Sequence, residues 1–296
     1  MFLSPLYKDA RYFQIIFQFS FLMYGIFSLG WNAEWGLYAT YLSISITTQL
    51  IAETILCQAK NKTYPSLAKI KNGIPSAIIS SMGLCLLLKT NDLSVAALAA
   101  FISIASKYLI RINGKHIFNP SALGIVAAVW FTGNAWISPG QWGSGAVILF
   151  GVLCLGFIIT TKVQKLDTSV AFLGTFGGLL FIRQVMYLGW PVDFFVQSIS
   201  TGSLLLFSFF MITDPKTTPN HATARIIWSM LVAAVAFYLA TFKFINTAPV
   251  WVLVCTQPLV PLLDKIFKAN QFSWKKINLP NSGKEKIYKA VIIPKK

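Results

Sequence analysis

Acidic residues are scarce in this 296-residue chain: nine Asp and Glu stand against 25 Lys and Arg, and histidine occurs twice. Charged residues make up 11% of the chain, less than half of the roughly 25% of a soluble domain. A chain of this size with 55% hydrophobic residues lacks the polar skin that water demands, so its solvent is lipid. That excludes a disordered tail protein. The formal net charge of +16 does not indicate nucleic acid, because the bases lie between apolar runs and at the C-terminal end, where membrane topology accounts for them. Cys57, Cys85, Cys154 and Cys255 show no C-x-x-C and no ligand-like spacing, which excludes a disulfide scaffold and reads them as small buried hydrophobes. His116 and His221 both fall in loops, so a pair of axial haem ligands inside the bilayer is excluded. P-loop and H-E-x-x-H motifs are absent, and nothing indicates an ATP-driven pump or a zinc hydrolase.

What the chain does have is a series of apolar runs near the length of about 20 residues that spans a bilayer. Ten are expected: 12–31, 35–57, 74–88, 93–110, 119–132, 144–161, 168–188, 193–213, 222–241 and 246–263. The first lacks an A-x-A-like cleavage site and reads as a permanent span rather than a signal peptide. Ten spans sort the Lys and Arg residues into 22 on one side, two (Lys89, Lys243) on the other and one, Arg183, within a span. Positive residues stay cytoplasmic, so both termini are expected inside a bacterial inner membrane. The expected architecture is an all-α polytopic membrane protein of about ten transmembrane helices. Five plus five spans give two halves of opposite orientation, residues 1–132 and 133–263, followed by a basic tail, 264–296, lying on anionic lipid. Ser81-Met82-Gly83-Leu84 with Leu86-Leu87-Leu88 is similar to Ser200-Thr201-Gly202-Ser203 with Leu204-Leu205-Leu206. Interrupted segments at matching places of inverted halves point to a midplane site, although small residues also serve helix packing.

Two polar stretches interrupt the apolar pattern. One runs from Arg111 through Asn113-Gly114-Lys115-His116 into Asn119-Pro120-Ser121-Ala122. Asn119 is a helix cap and Pro120 sits at the first helical position; the helix end with Lys107, Arg111 and Lys115 nearby is either an ordinary helix start or an anion cradle. The other is Phe209-Phe210-Met211-Ile212-Thr213-Asp214-Pro215-Lys216-Thr217-Thr218-Pro219, where Pro215 forces Asp214 toward extended backbone.

The first stretch resembles the "G-x-N-x-F-N-P-A" region, and Phe210 to Pro215 the "F-F-M-A-T-D-P" signature, of the RnfD/NqrB family, membrane subunits of sodium- or proton-coupled flavin-dependent electron-transfer complexes. Ser76-Ala77 with Ser81 to Leu88 resembles the family's "S-A-x-x-T-G-L-L-L" helix, and Lys107 falls where those proteins have a Gly-Lys. The resemblance covers about residues 74–220. It implies two inverted five-helix repeats similar to the urea and ammonium channels, a flavin bound in the membrane part, partner subunits and lipid contact. The family's "[S/T]-G-A-T" motif, whose Thr carries covalent FMN, is missing from the loop Thr132 to Gly143. That loop looks like the UnbU branch, and the implied flavin, riboflavin or FMN, is noncovalent. Its implied lining is Ser81, Gly83, Thr201, Gly202 and Ser203, with Lys107, Asn113, Lys115, Asn119, Thr213 and Asp214 at the cytoplasmic mouth.

Two ionisable residues lie inside spans, Glu53 in the second and Arg183 in the seventh. Such residues are costly in lipid and mark function by default; the alternatives are an ion or cofactor role, or structural pairing, Arg183 with Asp193. The sequence supports three functions: a redox-linked subunit relaying electrons through a noncovalent flavin with coupled ion movement, a transporter or channel for a small solute, and a membrane scaffold.

Overall fold

Helix starts are set by short polar caps between the apolar runs. The computed structural model describes residues 10–61, 64–138, 151, 156–158, 160, 161 and 164–271. In the first half, α1 (Ala10–Phe27), α2 (Trp35–Asn61), α3 (Leu67–Leu87), α4 (Leu93–Leu109) and α5 (Pro120–Thr132) follow one another. Ser66 caps α3 through Lys69 N, Asp92 caps α4 through Ser94 N, and Asn119 caps α5 through Ala122 N with Pro120 in the first turn, each satisfying a backbone donor left over at a helix start. Gly133, at φ 66°, closes α5 in the left-handed conformation that suits glycine.

Two small antiparallel ribbons mark the two ends of the bundle. β1 (Leu88–Thr90) pairs with β4 (Ala135–Ile137), so the residues just past the expected boundary at 132 are fastened to the first half. β2 (Arg111–Ile112) pairs with β3 (Lys115–His116) around Asn113 and Gly114, both at positive φ (52° and 79°). This is the Asn-Gly hairpin turn whose twist matches that of its strands.

The second half contains α6 (Leu166–Phe181), extended by a π-helical stretch Ile182–Tyr187, then α7 (Val192–Ile199), α8 (Gly202–Leu206) with a π-helical stretch Phe207–Met211, α9 (Ala222–Phe242), α10 (Ala248–Thr256) and α11 (Val260–Ile266). The run expected at 193–213 is thus two helices, bent by 49° at Ser200 and Thr201. The segment of similar sequence in α3 continues unbroken through Gly83. The last run is also divided, by a 3-10 turn at Gln257–Leu259. Four helices among the described residues are long and apolar enough to cross a membrane, five with the bent pair, and the chain is a multi-pass membrane protein. Most of the run expected at 144–161 lies outside the described residues.

Small residues set the closest packing. Ala96, Ala99 and Ala100 are fully buried or nearly so on α4, and a Cβ at Gly124 of α5 would meet the Ala99 carbonyl oxygen at 2.6 Å. On α9, Ala233 and Ala236 are fully buried, and this helix packs along α6. Of the cysteines, Cys57 and Cys85 are buried as expected, Cys255 is exposed, and Cys154 lies outside the described residues.

Candidate functional site

The two polar stretches, about a hundred residues apart, close on each other at the end of the bundle that carries the C-terminal tail. Asn119 does three things there: Oδ1 accepts from Ala122 N and Ser121 Oγ, Nδ2 donates to Met211 O at 3.1 Å, and its backbone N–H donates to Gln257 Oε1 at 2.9 Å. The last turn of a π stretch leaves carbonyls without their usual partners, and Asn119 satisfies one of them. Lys115 Nζ donates to Thr218 O (2.8 Å), Asn220 Oδ1 (3.1 Å) and Asp264 Oδ2 (2.9 Å), which engages all three of its donors. Asp264, expected in the basic tail, is in the last helix and also accepts from Asn220 N. Arg225 bridges Asp167 and Asn220 O in the same cluster.

Charges here are shaped by burial. Burial holds the Lys115 ammonium below the ordinary lysine range, against the pull of Asp264. Lys165, 4% exposed and donating to Pro219 O at 3.2 Å, is pushed down to about 7 by burial and by the charges of Arg225 and Lys115. Burial alone raises the Asp214 carboxyl, but the His116 ring at 3.7 Å, the Lys216 amide and the charge of Lys107 together hold it below the usual carboxylate range.

Beside this cluster lies a cavity of about 100 Å³ lined by Gly83, His116, Asn119, Ser121, Thr213 and Asp214, with Arg11, Gln14, Gln18 and Ser76 opposite. A second cavity, about 720 Å³, lies toward the far end, between the π stretch of α6, the α7–α8 break and the loop joining α9 to α10. Its walls are Phe176, Leu180, Leu188, Trp190, Leu204 and Phe207, and its polar groups are Arg183, Gln184, Ser198, Thr201, Ser203, Asn246 and Thr247. Leu87 lines both cavities, Leu86 and Leu206 the small one, Leu204 and Phe207 the large one. The two similar leucine stretches therefore meet as a partition between the cavities.

The expected site residues divide accordingly. Gly83, Asn119, Thr213 and Asp214 line the small cavity; Thr201 and Ser203 line the large one with Arg183. Gly202 is buried at the start of α8, and Ser81, fully buried, back-bonds to Ile78 O inside α3. Asn113 is a turn residue and Lys115 a clamp. Lys107, 5% exposed, is not at a mouth: its Nζ donates to Ser76 Oγ (2.9 Å) and Gln49 Oε1 (3.2 Å). Gln49 Nε2 donates to Glu53 Oε1 at 2.6 Å, and Tyr108 OH donates to the same oxygen. Glu53 and Arg183 do not meet. Arg183 lies over the rings of Phe242 (4.5 Å) and Tyr187 (5.7 Å), and no carboxylate, Asp193 included, pairs with it among the described residues.

Several site residues were not expected. Gln14 and Gln18, four apart on the mostly apolar α1, carried a legible signal as polar positions on one helix face. Gln184, Trp190 and Gln257 carried none, since only the fold brings them to the cavities and caps.

The sequence model described as the NQR2, RnfD, RnfE family matches residues 130–273. No curated protein matches the chain. The matched range contains the Thr213-Asp214-Pro215 stretch, the leucine run 204–206 and the whole lining of the large cavity except Leu87.

Proposed function

We propose that this RnfD/NqrB-like chain, matched to the family over residues 130–273, is a membrane subunit of an electron-transfer complex that holds a flavin noncovalently in the large cavity. The observation that carries the reading is the state of the polar groups there. Arg183 lies over aromatic rings and pairs with no carboxylate among the described residues, and Gln184 Oε1 is buried without a hydrogen-bond partner while its Nε2 donates to Ser198 Oγ. A buried acceptor left in this state costs about 1–3 kcal/mol unless a ligand or water satisfies it.

The residues fit a flavin. Its ring system is flat and largely apolar, with one edge that alternates carbonyl, N–H and carbonyl. Trp190, Phe176, Phe207 and Leu204 supply apolar wall, Arg183 is donor only, and Gln184 Oε1 is an acceptor. The volume lies within the range of roughly 300–1,000 Å³ typical of cofactor sites. When bound, the flavin supplies one- and two-electron transfer, while the protein supplies orientation and electrostatics. The uncompensated charge of Arg183 favours negative charge gained inside the cavity, in surroundings that screen it weakly. The Leu86, Leu87, Leu204 and Phe207 partition keeps water of the small cavity from the large one. Partner subunits at the lipid-free ends, ion movement coupled to the redox step, a bacterial inner membrane and cytoplasmic termini belong to the same reading, the last supported by the bias of 22 bases against two.

The test is an absorbance and fluorescence spectrum of protein purified in mild detergent, before and after acid precipitation. A flavin released into the supernatant is the expected result. A flavin kept in the pellet means a covalent attachment, and folded protein without flavin in either fraction overturns the reading. Transport of a small solute is the second reading, favoured by two cavities in series across one leucine partition. It predicts flux without a chromophore, blocked by Thr201→Trp.

A further inference from the structure

The first half of the molecule contains unsatisfied polar atoms of a different kind, and they follow a helix rather than a cavity. Tyr41, Ser45, Gln49 and Glu53 recur every four residues on α2 and are 1%, 0%, 3% and 6% exposed. At that spacing they form a single polar stripe down one face, on a helix packed against both α3 and α4. Tyr41 OH, Ser45 Oγ and Glu53 Oε2 are buried without a hydrogen-bond partner, and so is Ser103 Oγ on the facing α4. Tyr38, one turn beyond Tyr41, extends the stripe toward the far end, and Lys107 closes it at the tail end.

Buried groups of this kind in a folded protein are paired with protein or with water. Four residues of helix rise about 6 Å, about twice a hydrogen bond of roughly 2.8 Å. One water between Tyr41 and Ser45 and one between Ser45 and Gln49 therefore reach the orphaned hydroxyls, Gln49 bonds Glu53 Oε1 directly, and a further water on Glu53 Oε2 completes the line, with two or more polar partners for each water. The stripe from Tyr38 to Glu53 covers about 22 Å, most of a hydrocarbon core of about 30 Å.

We propose that α2 and α4 enclose a file of bound water that carries protons between the far end of the bundle and Glu53, with Gln49 and Lys107 separating it from the small cavity. This rests on the ion-coupling half of the proposed function and is independent of the flavin. A metal cation stripped of its water needs several oxygens converging on one point, whereas these are strung out at one per helical turn, and no group of three or more His, Cys, Asp or Glu exists among the described residues. In the step itself a hydronium of the file gives a proton to the Glu53 carboxylate, leaving water and a carboxylic acid, and the reverse returns it. Glu53 faces Gln49 on its own helix, Lys107 and Tyr108 on α4, and the backbone of Gly73 on α3, where a Cβ would strike its carboxylate. Lys69 of α3 lies one turn on, beside Cys57. The charges of Arg11, Arg111 and Asp214 act on Lys107, and Glu34 and Cys85 are the ionisable neighbours of Tyr38 and Tyr41.

Dicyclohexylcarbodiimide tests this, because it adds to a protonated buried carboxyl and leaves a stable N-acylurea that peptide mass spectrometry reads at Glu53. The full chain is sealed in vesicles of one orientation, selected by protease access to its C-terminal tail. Raising the far-side pH from about 5 to about 9 changes the protonated fraction of a carboxyl by tenfold or more, and labelling of Glu53 is expected to fall by about that factor. The same change on the tail side alters it less than about twofold. Ser45→Val, checked for a single sharp size-exclusion peak, removes the dependence on far-side pH. Labelling that follows the tail-side pH, that follows neither side, or that is absent at every pH overturns the proposal. None of these readouts involves a chromophore, so a failure here and a failure of the flavin reading are separate results.

Discussion

The tail-end cluster and the far-end cavity treat polar groups in opposite ways. At the tail end Lys115 has all three donors engaged, Arg225 is bound through Nε, Nη1 and Nη2, and Asn119 uses side chain and backbone at once. In the far-end cavity, among the described residues, an arginine pairs with no carboxylate and a glutamine oxygen has no donor. At the tail end Gln257 Nε2 and Gln18 Oε1 are also buried without a partner, so the contrast lies in the charged groups: engaged ones hold elements in place, and an arginine left to aromatic rings inside a cavity is built for something that arrives later. The difference teaches that the polar stretches most conspicuous in the sequence encode the lock between the halves, while the large cavity draws on scattered residues, of which Arg183, Thr201 and Ser203 were legible and Gln184 and Trp190 were not.

The strongest way to break this contrast is to remove a partner from the lock. Lys115→Met leaves Asp264 and two further acceptors facing an apolar side chain, and breaking a mostly buried pair in this way costs about 3–5 kcal/mol. Thermal unfolding in detergent is expected to fall by many degrees; a loss below about 1 kcal/mol would place Lys115 outside the lock. Asn119→Ala removes the cap of α5 and the donor to Met211 O, an expected cost of about 2 kcal/mol. Substituting Asn119 by Asp keeps the cap but not the donor, and is expected to recover part of that loss in the same measurement.

A pH series probes the tail end more finely. Lys165 has a folded pKa of about 7 against an ordinary 10.5. Between those values the unfolded chain holds a proton that the folded chain lacks, so this group makes stability climb as pH rises from about 7 toward 10.5, by at most about 1.4 kcal/mol for each pH unit. Below pH 7 the lysine is charged in both states and its contribution is constant. Lys165→Met is expected to flatten the climb, which melting temperatures across that window measure. Asp214 acts at the other extreme: its carboxyl is held low, so its contribution is present above its ordinary value of 3.8 and is lost as pH falls through the folded value.

Sequence reasoning located most helices because apolar runs and caps are local. The starts at 35, 93 and 222 coincide with observed helices. It shortened α3, whose first turns carry Lys69, Lys71 and Asn72, because a helix extending past the lipid leaves no apolar trace. It expected an interruption at both Gly202 and Gly83, which look alike in sequence; the chain breaks beside Gly202, whereas α3 runs through Gly83, where a Cβ would strike Ser121. Asn113-Gly114 was legible as a hairpin turn, yet Asn113 was placed at the cytoplasmic mouth of the implied flavin site instead. Asp264 is 149 positions from Lys115, and nothing local announces a partner at that distance. On α2 the four-residue spacing of Tyr41, Ser45, Gln49 and Glu53 was in plain view, but only the charged member drew notice.

The smallest expected effect on stability is the one that sharpens the contrast most. Arg183→Leu removes a charge from the far-end cavity without stranding any carboxylate, since its partners are the faces of Phe242 and Tyr187. Cation–π contacts at such sites contribute about 0.5–1 kcal/mol, and a leucine recovers part of that as apolar contact. The stability, followed by thermal unfolding, should therefore stay within about 1 kcal/mol of wild type. If Arg183 is there for a ligand, the same variant loses about tenfold or more in flavin affinity, as one charged hydrogen bond of about 1.5–3 kcal/mol disappears; fluorescence quenching of riboflavin and FMN titrated against the purified protein measures it. A residue whose loss leaves the fold intact and empties the cavity behaves opposite to Lys115, whose loss melts the junction. If instead Arg183→Leu destabilises the protein as strongly as Lys115→Met, the far-end cavity is another lock, and the division between holding and binding within this molecule fails.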